Sequence, residues 1–325
     1  METLAVLGID IGGTNTAFGL VDRDGRLLFE ATVPTESDNG PDALMREIHR
    51  LVEQFLRQNT AVTIAGIGIG APNANFYTGH IENPPNLSWG TTDMAGLVGD
   101  IFHLPVYLTN DANASAIGEM LFGSARGMEH FIVITLGTGL GSGVVVDGKL
   151  VYGSNGLAGE LGHNCIDFHG RHCACGNRGC LETYVSASGI VRSAVELLGK
   201  RIDPSPLRGM AAGDITAEML FNLAVENDPI ALEAFDYTAH LLGVSCANVA
   251  MLTAPQAYII TGGLARAEKL FFDKTKKYME RHLLANFREK IKILPSGLKE
   301  NPAILGSAAL AWNELRENGN AKGRK

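Results

Sequence analysis

Residues 4–22 read LAVLGIDIGGTNTAFGLVD, and residues 131–147 read FIVITLGTGLGSGVVVD. Each begins as an apolar run, the mark of a strand buried on both faces. Each breaks at a glycine turn, Gly12-Gly13-Thr14 or Gly137-Thr138-Gly139, and resumes as a second strand that ends in aspartate. The copies stand at a constant offset of 125 residues, Gly12 to Gly137 and Asp22 to Asp147. A repeated strand–turn–strand unit implies two similar α/β halves in one chain.

Elements on either side support that class. Asp22-Arg23-Asp24-Gly25 is a hairpin turn into a strand at Leu27–Ala31. Apolar residues at helical spacing predict helices over 42–58, 112–121, 186–198, 216–224, 229–252, 271–284 and 303–315. Short apolar runs at 64–69, 106–108, 256–261 and 291–295 read as further strands. Strands alternating with helices make an α/β protein. Residues 73–93, rich in Asn, Pro and Gly, read as a long loop of the kind that carries function.

Composition narrows the partners. A chain of 325 residues has room for two cores. Hydrophobic content of 46% and charged content of 19% describe an ordinary globular protein. The net charge of −8 gives no electrostatic support for nucleic-acid binding. The basic group Lys274, Lys276, Lys277 and Arg281 reads as a solvated helix face. No apolar run reaches the ~18 residues of a membrane span, and no secretory signal opens the sequence. Five clustered cysteines fit a reducing cytoplasm better than a disulfide framework.

Four of those cysteines lie in residues 159–182, GELGHNCIDFHGRHCACGNRGCLE. Cys173, Cys175 and Cys180 form a C-x-C-x4-C cluster, and His163 lies ten residues before it. Three thiolates and one imidazole complete a tetrahedral zinc set with no position left open for chemistry. The site is expected to be structural. Cys165 is a possible competing ligand, and Cys246, in a helical apolar stretch, is expected in the core.

Chemistry is expected elsewhere. The glycine turns at 12–14 and 137–141 offer unobstructed backbone N–H groups, with Thr14 and Thr138 adding hydroxyls and Asn15 and Thr16 following the first turn. Neither matches the P-loop pattern or a clean dinucleotide fingerprint. Asp10, at the end of the first strand, is placed to hold Mg²⁺ against phosphates. Gly262-Gly263 reads equally as a helix entry or as a flat backbone for adenine and ribose. Asn110-Asp111 reads as a helix cap, or as a general base, Asp111, beside a hydroxyl-binding Asn110. Glu160, His163 and Glu182 add the paired donors and acceptors that polyol recognition needs.

Taken in order, Asp10-Ile11-Gly12-Gly13-Thr14, Asn110-Asp111-Ala112-Asn113-Ala114, Gly137-Thr138-Gly139, Glu160-Leu161-Gly162-His163, the cysteine cluster through Glu182, and Thr261-Gly262-Gly263 resemble the ROK family of sugar kinases and repressors along nearly the whole chain. The resemblance implies a two-domain, actin-like (ribonuclease H-like) ATPase fold with a structural zinc loop. Its expected division is 1–121 with 303–325 as the smaller domain and 122–302 as the larger. It implies ATP with Mg²⁺, Asp111 as catalytic base, and a sugar held by Asn110, Glu160, His163 and Glu182. Zinc would be held by His163, Cys173, Cys175 and Cys180. Imidazole would then serve zinc with one ring nitrogen and the sugar with the other.

Where many members read Pro-Gly, this chain reads Pro72-Asn73, so Asn73 is a further candidate sugar contact. The loop from Asn83 to Trp89 resembles that of ROK glucokinases, which makes glucose the leading substrate. N-acetylmannosamine, N-acetylglucosamine, fructose and allose are alternatives. A sugar-sensing repressor is the rival reading. Only nine residues precede Asp10 and the charge is acidic, both of which weigh against it. The resemblance further implies a homodimer or tetramer, while cysteine usage, charge and the lack of a long apolar run predict a cytoplasmic protein without nucleic-acid or membrane partners. Zinc loss is expected to disorder the sugar side before the ATP side.

Overall fold

The computed structural model describes residues 2–322, apart from the side chains of residues 37, 266, 268, 269 and 318–322. Residues 323–325, the end of the expected segment 303–325, lie outside the described residues. The chain divides into two compact units: Met1–Gly127, Leu150–Ala158 and Gly297–Lys325 form one, and Met128–Lys149 with Gly159–Ser296 form the other. The excursion Leu150–Ala158 therefore packs with the first unit, although chain order alone assigns it to the second. Buried Asn75 shows why: its Nδ2 donates to Asn155 O at 3.0 Å.

In the first unit, β1 (Thr3–Ile11), β2 (Asn15–Asp22), β3 (Leu27–Pro34), β4 (Val62–Gly70) and β7 (Val106–Thr109) form one sheet in the order β3-β2-β1-β4-β7. The hairpin strands pair antiparallel, while β1, β4 and β7 run parallel. In the second unit, β8 (Phe131–Leu136), β9 (Leu140–Val146), β10 (Lys149–Leu150), β11 (Ala257–Gly262) and β12 (Lys292–Pro295) follow the order β10-β9-β8-β11-β12. Again β8 and β9 are antiparallel, and β8, β11 and β12 are parallel. The repeat in sequence is thus a repeat in topology.

Helices cover both faces of the first sheet, as a mostly parallel sheet requires. On one face, Leu7, Ile9, Phe18, Ile67 and Ile69 cluster with Met45 and Ile48 of α1 (Gly40–Gln58) and with Met94 and Val98 of α2 (Met94–Phe102). Burying each such side chain stabilises by about 1.5–3 kcal/mol. The other face carries α3 (Asp111–Leu121) and α8 (Pro302–Lys322). There the small-residue run at 305–309 has a purpose, because a Cβ on Gly8 would meet Ala308 N at 2.8 Å. The last helix lies directly on the backbone of the sheet.

The second unit adds α4 (Ala187–Lys200), α5 (Ala217–Val225), α6 (Pro229–Thr253) and α7 (Glu268–His282) around its sheet. Cys246 is fully buried in this core, as expected, and its carbonyl accepts from the Tyr258 hydroxyl at 2.6 Å. Among the described residues, no helix is long and apolar enough to cross a membrane.

Two features escaped the sequence. Helix α2 holds two glycines, which lower helix propensity, and it is started by Asp93, whose carboxylate accepts from Gly96 N at 2.8 Å. The loop at 73–93 is also less irregular than expected, since it contains the antiparallel pair β5 (His80–Ile81) and β6 (Thr92–Asp93).

Candidate active site

Functional side chains gather in two places, one in each unit. In the first, register does the gathering. Asp10 pairs with Gly70, and Gly70 with Thr109, so three parallel strands end side by side. Ligands of open α/β sheets bind at such carboxyl ends. The next two residues after Thr109 are Asn110 and Asp111.

Asn110 is the N-cap of α3: its Oδ1 accepts from Asn113 N at 2.7 Å. The cap role therefore falls to Asn110, and any ligand contact it makes is left to its Nδ2. Asp111 is exposed in the first helical turn, with Oδ1 accepting from Ala112 N at 2.8 Å. A carboxylate there is favoured by the helix dipole and rigidly aimed.

Asp10 is its electrostatic neighbour. Burial, and secondarily the charge of Asp111, push the Asp10 carboxyl up from 3.8 to about 6. A carboxylate this poorly solvated is short of a counter-cation, and an oxygen ligand suits Mg²⁺. The residues present fit that ion.

The turn after β1 is braced from behind. Thr35 donates its hydroxyl to Gly12 O at 2.7 Å and its N–H to Thr14 O at 2.9 Å. Gly13, Thr14 and Asn15 are exposed, as phosphate contacts must be. Thr16 is not: it is fully buried and its hydroxyl bonds that of Thr35 at 3.0 Å. Thr16 supports the turn from below and is not placed to touch a cofactor. The alternation of side chains along β2 turns it inward.

Asn73 also differs from expectation. Its φ of 53° lies in the left-handed region, where Gly and Asn are the residues tolerated. Both amide hydrogens are spent on the loop, donated to Glu82 O at 3.1 Å and Asn83 O at 3.2 Å. Asn73 replaces glycine for conformational reasons and ties down the loop from Asn83 to Trp89. Its Oδ1 alone is left for a ligand.

In the second unit, the turn 137–139 docks on the start of α4. Ala187 N donates to Gly137 O at 2.9 Å and Ser188 Oγ to Thr138 O at 2.8 Å. A Cβ on Gly139 would meet Glu182 Oε2 at 2.9 Å, so a larger residue there would displace that carboxylate. Nearby, a pocket of about 310 Å³ is walled by Ala187, Phe221, Phe235, Gly263 and Leu264, with Glu218 and Asn222 as polar members. Of the Gly262-Gly263 pair, only Gly263 faces it. Gly262, at φ 98°, packs back on Leu136. The α5 contribution was missed because its apolar spacing is that of any core helix.

The cysteine loop assembles as expected. Among the described residues, ligand atoms of His163, Cys173, Cys175 and Cys180 lie within 4.8 Å of one another. Cys175 and Cys180 Sγ are 3.6 Å apart, and Cys173 Sγ is 3.8 Å from His163 Nδ1. A tetrahedral zinc with Zn–S near 2.3 Å requires ligand separations of roughly 3.8 Å. The donor set fits zinc. Cys165 stays outside this group and forms a backbone bridge to Cys180. His163 turns Nδ1 to the thiols, and its Nε2 is 3.9 Å from Glu160 Oε2. Glu182 Oε1 stands 3.6 Å from Nδ1 and accepts from Cys173 Sγ at 3.0 Å. Glu160, His163 and Glu182, three of the residues expected to read a sugar, therefore form one contiguous group.

The ROK family model matches residues 6–314. The chain is 33% identical over 315 residues to the glucokinase of Thermotoga maritima, covering 95% of this chain and 98% of that protein. It is 30% identical over 315 residues to the xylose repressor of Caldicellulosiruptor bescii, covering 96% and 79%. The crystal structure of a ROK family glucokinase from Streptomyces griseus, in complex with glucose and AMPPNP, matches with a TM-score of 0.78 at 31% identity, over 95% of this chain and 99% of that one. These likenesses assign the α/β, actin-like ATPase architecture. The duplicated sheets, their turns and the cysteine loop have a common explanation: the chain belongs to the ROK family.

Proposed function

We propose that this chain is a cytosolic ATP-dependent hexose kinase with glucose as the leading substrate. The observation that carries the reading is the exposed Asp111 carboxylate, fixed at the start of α3 beside half-buried Asp10. Asp111 takes the proton of a sugar hydroxyl, the 6-OH for glucose. That oxygen bonds the γ-phosphorus as the bond to the β–γ bridging oxygen breaks, and ADP leaves. Asp10 would hold Mg²⁺, which supplies neutralising charge on the phosphates. Backbone N–H groups of the two glycine turns add donors, and the pocket at Gly263 accepts the adenine. Glu160, His163, Glu182 and Asn110 orient the sugar hydroxyls. His163, Cys173, Cys175 and Cys180 would hold zinc, which fixes the loop and has no open position for substrate.

The likeness to a xylose repressor carries a second reading, a sugar-responsive regulator that binds without turnover. One experiment separates them. ATP and Mg²⁺ are offered with glucose, N-acetylmannosamine, N-acetylglucosamine, fructose and allose, and ADP release is followed by a coupled assay. Turnover of one hexose is expected. Asp111→Asn is expected to lower kcat by about 10²–10⁴-fold while sugar affinity stays within a few-fold. No turnover on any sugar overturns the kinase reading, and near-normal kcat in Asp111→Asn overturns the base.

A further inference from the structure

The loop from Gly159 to Glu182 has a fastener besides the thiol cluster. Arg171, two residues before Cys173, is only 6% exposed. A guanidinium buried so deeply needs a counter-charge and a partner for each donor. It has both. Nε and Nη2 fork onto Glu196 of α4 at 3.0 and 2.8 Å. Nη1 donates to the carbonyls of Thr183 at 2.6 Å and Gly189 at 3.1 Å, and Nη2 to Ser193 Oγ at 2.9 Å. The guanidinium lies over the Tyr184 ring at 4.3 Å, and Arg171 N–H donates to that ring's hydroxyl at 3.0 Å.

The contacts fall at a junction. Thr183 directly follows Glu182. Gly189 lies in the first turn of α4, the turn that also holds Gly137 and Thr138 through Ala187 and Ser188. None of the Arg171 contacts involves His163 or a cysteine.

We propose that Arg171 is a positioning residue that holds Thr183, the first turn of α4 and, through that turn, residues 137–139, by contacts separate from the metal cluster. The loop then has two separable fasteners. The four ligands hold His163 and Glu160 in place. Arg171 and Glu196 hold residues 181–190 and, through them, the phosphate turn. Metal loss frees the sugar-reading imidazole while the nucleotide elements stay ordered. Loss of the arginine fork does the reverse.

The test is hydrogen–deuterium exchange on the full chain, loaded with Zn²⁺ and then stripped by chelation, alongside Zn²⁺-loaded Arg171→Lys. Lysine keeps the charge but has no planar fork. Stripping should speed exchange by about tenfold or more in residues 172–178 and leave Arg171 and 181–190 near their starting rates. Arg171→Lys should retain the metal, speed exchange in 181–190, and weaken AMPPNP binding several-fold. The proposal is overturned if stripping opens 181–190 as much as 172–178, if Arg171→Lys sheds the metal or leaves 181–190 protected, or if the chain takes up no Zn²⁺. Should Arg171→Lys not fold, Glu196→Gln replaces it with the same expectations. Only the AMPPNP arm rests on the kinase reading. If the wild-type chain binds no nucleotide, that reading falls, and exchange still decides the role of Arg171.

Discussion

Replacing Asp10 by asparagine should stabilise the ligand-free protein while destroying its activity. Asp10 is half-buried, and its carboxyl is pushed up to about 6 by desolvation and then by Asp111. In the unfolded chain it ionises near 3.8. A folded-state value above the unfolded one means that the native state holds the proton more tightly. Its contribution is therefore neutral below pH 4, turns unfavourable as pH rises from 4 to 6, and is fully unfavourable above 6. At 1.36 kcal/mol per pH unit the gap amounts to about 3 kcal/mol at pH 7. Asparagine has the same shape and no charge. Urea unfolding of wild type and Asp10→Asn from pH 4 to 8, without nucleotide or divalent cation, should show a stability difference near zero at pH 4 that grows to about 3 kcal/mol in favour of the variant. Carboxylates away from Asp10 titrate alike in both proteins and cancel. A variant less stable than wild type at pH 7, or a difference that does not change with pH, would refute the reasoning. The same burial that costs stability makes the site attractive to a cation, so a stabilised Asp10→Asn should lose Mg²⁺-dependent turnover.

Two further outcomes are expected. Asn73→Ala combines the left-handed backbone cost with loss of both loop contacts, about 2 kcal/mol by chemical unfolding. Asn73→Gly should cost roughly half as much, and equal costs would show that conformation is irrelevant there. For the cysteine loop, metal analysis should find about one zinc per chain and a loss of most of it in Cys175→Ser. Full retention of metal and stability in that variant would mean that the cluster has been misread.

Much of the candidate site could be read from the chain because its parts are local. A strand, a glycine turn and an acid are contiguous at Asp10–Thr14, and C-x-C-x4-C places three thiolates within eight residues. Errors arose where direction or conformation decided. Thr16 sits one position from an exposed residue, and the pleat turns it into the core. Asn73 carries an amide suited to a sugar, but a φ of 53° and two loop carbonyls claim it.

Contacts between distant segments left no local trace. Arg171 and Glu196 look like two surface charges in sequence, yet in the fold Arg171 is buried and forks onto Glu196, which stays exposed. Glu119 reads as one more polar helix residue, yet it is fully buried and its carboxylate accepts from Ser124 N and Gly297 N. The pocket wall from α5 likewise emerges only once that helix packs beside Gly263. The sequence by itself determined the duplicated α/β halves, the thiol cluster and the identity of the acids, because periodicity, glycine placement and ligand spacing act over a few residues. Tertiary structure alone decided which donors are spent, which carboxyl is desolvated and which loop is tied to which helix. Burial and hydrogen-bond satisfaction are set by neighbours far away along the chain.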